Sequence, residues 1–188
     1  MLSLGCGGLG CAYLCTRDGL RAVFKVPKDL ESVIEETGEM PTIYMVTADK
    51  MKREAEAVIK LDHPNILKLL GASSNILLLV YEYADNGTLY WQLKKGWKPS
   101  LKDMVLLGIQ LADALRYIHS RGMIHGDVKP GGIYIKGGVN KLGDFSSISN
   151  LVTLHSIREL PYMVGYRALE QVYQEIAMRA RELALKID

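Results

Sequence analysis

A run of glycines followed at once by strand-forming residues is the feature that most restricts this chain. Gly5-Cys6-Gly7-Gly8-Leu9-Gly10 leads into two short apolar runs, 11–15 (CAYLC) and 20–26 (LRAVFKV). Between them stands Arg17-Asp18-Gly19, and Asp-Gly is a strong hairpin signal. Glycine lets backbone N–H groups approach phosphate oxygens, because no side chain holds the ligand away. A dinucleotide-binding α/β fold needs a helix directly after the last glycine, and here a hairpin follows. No Gly-Lys-Ser/Thr occurs either, which removes the Walker pattern. The cluster therefore opens a hairpin, and taken alone it is either an anion-approaching turn or a flexible N-terminus.

The rest of the composition is that of an ordinary globular chain. Its 188 residues suit one domain, or one and a fraction. With 48% hydrophobic and 23% charged residues, disorder and fibrous repeats are disfavoured. The net charge of +2 gives no electrostatic reason to expect nucleic acid or an anionic membrane as the main partner. No uncharged apolar run approaches the roughly 18 residues needed to span a bilayer. Met1–Thr16 is uncharged, but it lacks a basic stretch ahead of it and is broken by glycines, which argues against a signal peptide. Cys6, Cys11 and Cys15 are an odd count in one short segment with no nearby His. They read as packing residues in a reducing cytoplasm, not as a disulfide framework or metal cluster.

Along the chain, 28–41 reads as an acidic exposed insertion ending at Met40-Pro41. Residues 48–61 read as a helix after a Thr47 cap, and 76–83 as a buried strand ended by Asp85-Asn86-Gly87. Ser100 to Arg121 is the clearest helix. Ser100 and Asp103 have capping-box spacing, and Met104, Leu107, Leu111, Leu115 and Ile118 form one apolar stripe ended by Gly122. Two short strands follow, 133–135 and 141–143, and 170–186 is helical by composition. Trp91 and Trp97 read as packing residues.

Three places carry candidate chemistry. Lys25 lies in an apolar strand, where it either meets an anion or reaches solvent at the strand edge. Met51, Glu54, Val58 and Leu61 share one helix face, so Glu54 is on the packed side and wants a cation, for which Lys25 is the obvious candidate; alternatively it sits at the boundary and reaches out. His125-Gly126-Asp127-Val128-Lys129-Pro130 is followed 17 residues after Asp127 by Asp144. Singly these are ordinary turn residues. Together, one carboxylate can orient an attacking hydroxyl while the other holds Mg²⁺ against phosphates.

In this order the pieces GCGGLGCA, AVFK, EAEAVIKLDHPNIL, LLVYEYADNGTL, HGDVKPGGI, GDFS and GYRALE resemble the eukaryotic-type protein kinases, over nearly the whole chain. The resemblance implies an α+β, two-lobed fold: an antiparallel-sheet N-lobe over 1–84, a hinge at 82–86, and a mainly helical, incomplete C-lobe over 85–188. It implies ATP and Mg²⁺ as cofactors and a protein with Ser or Thr as substrate. Gly5, Gly7, Gly8 and Gly10 would cover the ATP phosphates, with Ala12 lining the same site. Lys25 would bind the α- and β-phosphates and pair with Glu54. Tyr81 would guard the adenine pocket, with the backbone of Glu82 and Ala84 on the adenine edge. Asp127 would be the catalytic base or orienter, Lys129 would stabilise the transferring phosphoryl group, and Asp144 would bind Mg²⁺. Asp-x-Lys-Pro resembles the serine/threonine branch.

Several positions depart from that pattern. The second-Mg²⁺ Asn is Gly132, Asp-Phe-Gly has become Asp144-Phe145-Ser146, the Thr that packs the substrate segment is Met163, and Ala-Pro-Glu has Leu169 in the middle. Gly126 stands where the family has an Arg that would hold a loop phosphate. The ends are short for the family, so exposed apolar surface and self-association are expected. Two other readings follow. One is a pseudokinase that binds nucleotide or a partner without catalysis, motivated by Gly132, Met163 and Leu169. The other is a small-molecule phosphotransferase of the aminoglycoside or choline kinase type, motivated by His125-Gly126-Asp127. All three readings place the chain in the cytoplasm, without nucleic acid or membrane as partner.

Overall fold

The computed structural model describes residues 1–7, 10–27, 42–73, 75 and 77–150. The Asp-Gly signal produces a tight turn: Asp18 at φ 52° and Gly19 at φ 77° supply the two positive dihedrals that match the twist of flanking strands. That turn joins β2 (Gly10–Arg17) to β3 (Leu20–Val26), and β1 (Leu2–Gly7) pairs with β2 on the other side. With β4 (Leu69–Ser73) and β5 (Leu78–Glu82) they form a five-stranded antiparallel sheet of order β1-β2-β3-β5-β4. The Asp85-Asn86-Gly87 break follows β5 as expected. The strand itself is shorter than predicted, and β4 escapes the sequence reading. In Leu69-Leu70-Gly71-Ala72-Ser73 three of the five residues are small, and the register slips between Leu69 and Gly71.

Among the described residues one helix, α1 (Thr42–Val58), accompanies the sheet. It starts earlier than the predicted residue 48, and Thr47 is a buried residue within it instead of a cap. The stretch Thr42–Val46 carries β-branched and aromatic residues with weak helix propensity, so propensity does not mark this end in the sequence. The predicted face holds: Met51, Glu54 and Val58 are each about fully buried, and Leu61 just beyond joins them. Arg53 and Asp49 pair on the outer face at (i, i+4) spacing.

Past the break come α2 (Leu89–Lys94) and α3 (Leu101–His119), then β6 (Met123–Ile124), β7 (Ile133–Lys136), β8 (Val139–Leu142) and β9 (Ser149–Asn150). The six-residue α2, capped by Thr88, is too short to leave a periodic signal. The α3 capping box forms as read: Asp103 N–H donates to Ser100 Oγ at 3.2 Å, and Ser100 N–H donates to Asp103 Oδ2 at 2.9 Å. Of the α3 stripe only Ile118 is fully buried, beside Ala114; Leu107, Leu111 and Leu115 are partly covered and Met104 is half exposed. Trp91 and Trp97 also correct their reading, because both are exposed and neither packs in the core.

The sheet and the second half share one core. Met51, Val58, Ile66, Leu69, Leu79 and Tyr81 pack together with Ala114, Ile118, Leu142 and Phe145. Backbone bonds fix the joint: Leu67 N–H donates to the Leu142 carbonyl and Leu142 N–H to the Asn65 carbonyl, both at 2.8 Å. The buried Asn65 amide donates to the Asn140 carbonyl, and Asn140 in turn donates twice to Gln110 of α3. His63 meets Asp113 of α3 at 3.1 Å.

The cysteines correct a further expectation. Cys6 and Cys11 face each other across β1 and β2 and form a disulfide, while Cys15 stays free. No helix among the described residues is long and apolar enough to cross a membrane. The 28–41 insertion, Gly8, Met163, Leu169 and the 170–186 helix lie outside the described residues.

Truncating Ile118 to Ala should cost about 2–5 kcal/mol, because a fully buried side chain leaves a cavity. Ser100→Ala should cost about 1 kcal/mol through loss of the cap. Denaturant midpoints check both, and equal losses would mean that α3 does not depend on its buried face.

Candidate active site

Four separate parts of the chain deliver charged groups to one place. Lys25 comes from β3, where it pairs with Ala12 of β2 and Leu79 of β5. Its Nζ donates to Glu54 Oε1 at 3.0 Å and Oε2 at 2.7 Å. Glu54 is 1% exposed, so its carboxylate has exchanged water for protein partners. The second donor group to it is the Tyr81 hydroxyl, at 2.5 Å from Oε1. Burial, then the neighbouring Glu54 charge, push the Tyr81 phenol well above its ordinary value, so it stays a donor.

Lys25 also faces Asp144, with Nζ 3.9 Å from Oδ1. Asp144 Oδ2 lies 3.2 Å from Lys129 Nζ, and Lys129 in turn binds Asp127. The result is an alternating chain, Glu54–Lys25–Asp144–Lys129–Asp127. Three carboxylates face two ammonium groups, leaving one negative charge in excess. Burial alone raises the Asp144 carboxyl, but Lys25 and Lys129 outweigh it and hold the group below its ordinary value. Burial likewise opposes charge on Lys129, and its bonds to Asp127 and Asp144 win, keeping the ammonium above its usual value.

Backbone geometry aims these groups. Asp144 sits at φ 58°, in the left-handed region that few residues other than glycine adopt. It is held there between Leu142 and Phe145, both fully buried. Ser146, at the family's usual Gly position, donates its hydroxyl to Asp144 Oδ1 at 3.2 Å. His125 is buried on Phe145, with ring centroids 4.9 Å apart. Burial keeps the imidazole below its ordinary pKa, hence neutral. Its Nε2 bonds the Gly143 carbonyl at 3.0 Å, and its Nδ1 accepts from Asp127 N–H at 3.3 Å. One ring thus ties the two aspartate loops together.

Two glycines differ in what they tolerate. Gly126 has φ 81°, and a Cβ there would lie 2.9 Å from the Ser147 carbonyl oxygen, so the backbone itself excludes an Arg. Gly132 has no such dihedral, but a Cβ would come within 3.2 Å of the Gly143 oxygen, so a side chain needs a small local shift. In the glycine hairpin, Gly10 is at φ 150° and a Cβ would meet the Val26 oxygen at 2.2 Å, which only glycine avoids. Gly5 pairs with Ala12, and Gly7 with Gly10.

Lys25, Glu54, Tyr81, Asp127, Lys129 and Asp144 are brought together. Ala12 lies beside them as the ladder partner of Lys25, and Glu82 and Ala84 are expected to act through their backbone. Ala84 lies in the core, and the Glu82 carboxylate turns to Lys136, Lys141 and the Lys68 backbone. Burial raises that carboxyl, and these bonds bring it below its ordinary value. A cavity of about 210 Å³ is lined by Glu82 and Lys141 with His63 and Ile66, and by none of Lys25, Asp127, Lys129 or Asp144. Sequence reasoning gave no separate role to His125, Ser146 or Tyr134. Tyr134 is a part-buried phenol raised by desolvation and then by Asp144, and it packs where a Cβ on Gly143 would touch its ring at 2.8 Å. The His125-Gly126-Asp127 spacing held the signal for the first: a ring two residues before a carboxylate can accept its N–H.

The donor set suits one Mg²⁺. Asp144 is ionised and part-exposed, and Mg²⁺ commonly takes one or two carboxylates with substrate phosphates. Among the described residues no group of three His, Cys, Asp or Glu could hold a metal unaided, so phosphate oxygens and water would complete its shell.

The sequence model of the protein kinase domain matches residues 1–182. The chain is 32% identical over 148 residues to cell division control protein 7 of Schizosaccharomyces pombe, covering 72% of this chain and 14% of that protein. It is 30% identical over 145 residues to Aurora kinase A-A of Xenopus laevis, covering 76% and 34%. It is also 30% identical over 141 residues to a Wee1-like protein kinase of Arabidopsis thaliana, covering 69% and 27%. The chain thus spans about a third or less of these relatives' lengths.

Gly126→Ala should destabilise the fold by about 1–3 kcal/mol, through strain at a positive φ and the Ser147 contact. Gly131→Ala, where a Cβ meets nothing within 4 Å, should stay within about 1 kcal/mol of wild type. Urea titration of both variants decides it, and equal stabilities would remove the packing account of Gly126.

Proposed function

The chain belongs to the protein kinase domain family, and from that membership we propose that it transfers the γ-phosphoryl group of ATP to Ser or Thr hydroxyls of proteins. The observation that carries this reading is the alternating chain from Glu54 through Lys25, Asp144 and Lys129 to Asp127. Phosphoryl transfer asks a protein mainly for positioning and charge compensation, and this arrangement supports both. The lobe boundary is placed after Ala84, with the nucleotide between the sheet and the helical half.

In this reading Gly5, Gly7, Gly8 and Gly10 cover the phosphates, and Ala12 and the backbone of Glu82 and Ala84 meet the adenine. Tyr81 closes the back of that pocket while holding Glu54. Lys25 leaves part of its bond to Glu54 available for the α- and β-phosphates. Asp127 orients the acceptor hydroxyl and takes its proton, within reach of Lys129, which meets the transferring group. Asp144 holds Mg²⁺, which supplies charge neutralisation on the phosphate oxygens when bound. Gly132 offers no ligand to a second ion. Because the backbone at Gly126 excludes Arg, activity needs no phosphate on the loop after Asp144. The substrate is a protein, the compartment the cytoplasm, and neither nucleic acid nor membrane is a partner.

Gly132 also supports the alternative of a nucleotide-binding domain without catalysis. Nucleotide binding is common to both readings, and transfer separates them. ATP with Mg²⁺ at 100 times its dissociation constant should stabilise the fold by about 2.7 kcal/mol, and Lys25→Met should abolish the shift. Transfer to a mixed protein substrate should fall roughly 10²–10⁴-fold in Asp127→Asn, with nucleotide affinity kept and with no change after phosphatase treatment of the wild type. Binding without any Asp127-dependent transfer, to proteins or to aminoglycosides, would leave only the non-catalytic reading.

A further inference from the structure

The glycine hairpin carries a covalent bond that the proposed function does not use. Cys6 of β1 and Cys11 of β2 are direct ladder partners, joined by a disulfide with their Cα atoms 4.0 Å apart. They stand one pair before Gly7 and Gly10, at the base of the glycine tip. The two sulfurs differ in access. Cys6 is exposed, whereas Cys11 is 4% exposed under the hairpin. Cys15 sits further along β2 opposite Ala22, away from this pair, and is free.

We propose that Cys6 and Cys11 are a reversible redox site, whose disulfide orders the glycine hairpin and whose reduction releases it. The exposed Cys6 thiolate attacks a small-molecule disulfide, forming a mixed disulfide and expelling one thiolate. The Cys11 thiolate then attacks the Cys6 sulfur and expels the second. The Cys6–Cys11 bond forms, the small-molecule disulfide is reduced by two electrons to two thiols, and the two cysteine protons end on those thiols. Reduction runs the same steps backwards. The hairpin tip holds glycines, which lose more conformational freedom on ordering than other residues. A cross-link at its base removes part of that loss before a ligand arrives. Resting on the ATP reading, the oxidised hairpin binds nucleotide more tightly and the reduced one more weakly.

The test uses the full chain carrying Cys15→Ser, equilibrated in reduced or oxidised glutathione and then alkylated. Mass analysis should find two alkyl groups on the reduced form and none on the oxidised form, and no link in Cys6→Ser with Cys15→Ser. Amide hydrogen exchange over β1 and the start of β2 should slow in the oxidised form. ATP–Mg²⁺ affinity should be roughly threefold or more higher when oxidised, and should ignore the redox buffer in the Cys6→Ser variant. Two alkyl groups in every buffer, or exchange that is the same in both states, overturns the redox site. A link that slows exchange but leaves affinity unchanged overturns the effect on nucleotide. No nucleotide binding in any form, while exchange still tracks the bond, overturns the ATP reading and sustains the redox pair.

Discussion

Lys25 stands between two carboxylates that reach it from different parts of the chain. Glu54 comes from α1, and Asp144 from the segment after β8. Removing one partner of a buried ion pair typically costs about 3–5 kcal/mol, because the other charge is left without water or a counterion. The sheet register, the rotation of α1 and the position of the Asp144 loop must therefore be right together. A one-residue slip of β3 would turn Lys25 to the other face of the sheet. A shift of α1 by one residue would carry Glu54 about 100° around the helix, away from both Lys25 and Tyr81.

The apolar core enforces the same agreement. Leu142 and Phe145 flank the Gly143-Asp144 pair and are both fully buried among Ile66, Ala114 and Ile118. Asp144 thus keeps an unfavourable φ because its neighbours are committed to the core. The polar joint Asn65–Asn140–Gln110 works alongside it. Each buried amide there has a partner, so the loop after α1 cannot separate from α3 without stranding donors. Chemistry and packing share the same four or five residues.

What could be read from the sequence was what local physics determines. The Asp18-Gly19 turn, the Ser100–Asp103 cap and the buried side of α1 at Glu54 all depend on spacing within one turn or one element. The elements that escaped are short, or depend on distant contacts. Strand β4 is rich in small residues, α2 is six residues long, and the start of α1 runs against its residues' propensity. The Cys6–Cys11 pairing escaped because counting cysteines says nothing about register, and only the ladder puts those two opposite each other. Trp91 and Trp97 were misplaced by a general rule about aromatics, which large side chains at a surface need not obey. The Lys129 contact that joins the two aspartates requires the β7–β8 hairpin to fold the Asp144 segment back onto Asp127, and no spacing rule reports that return.

The departures from the family pattern are not of one kind, and the structure separates them. Gly126 is demanded by the backbone: its positive φ and the Ser147 oxygen leave no room for a side chain. Beside it, His125 fixes Asp127 through the main chain, accepting its N–H. Ser146 is compensated as well, because its hydroxyl bonds the carboxylate that it follows. Gly132 is different. Its dihedral is ordinary, its crowding is mild, and among the described residues no cluster of three His, Cys, Asp or Glu makes up for the ligand it lacks. If the domain transfers phosphate, the burden of holding the metal falls on Asp144 and the substrate's own phosphates. Nucleotide affinity should then depend on Mg²⁺ through that one carboxylate, and the excess negative charge of the cluster is the local reason a cation is welcome there.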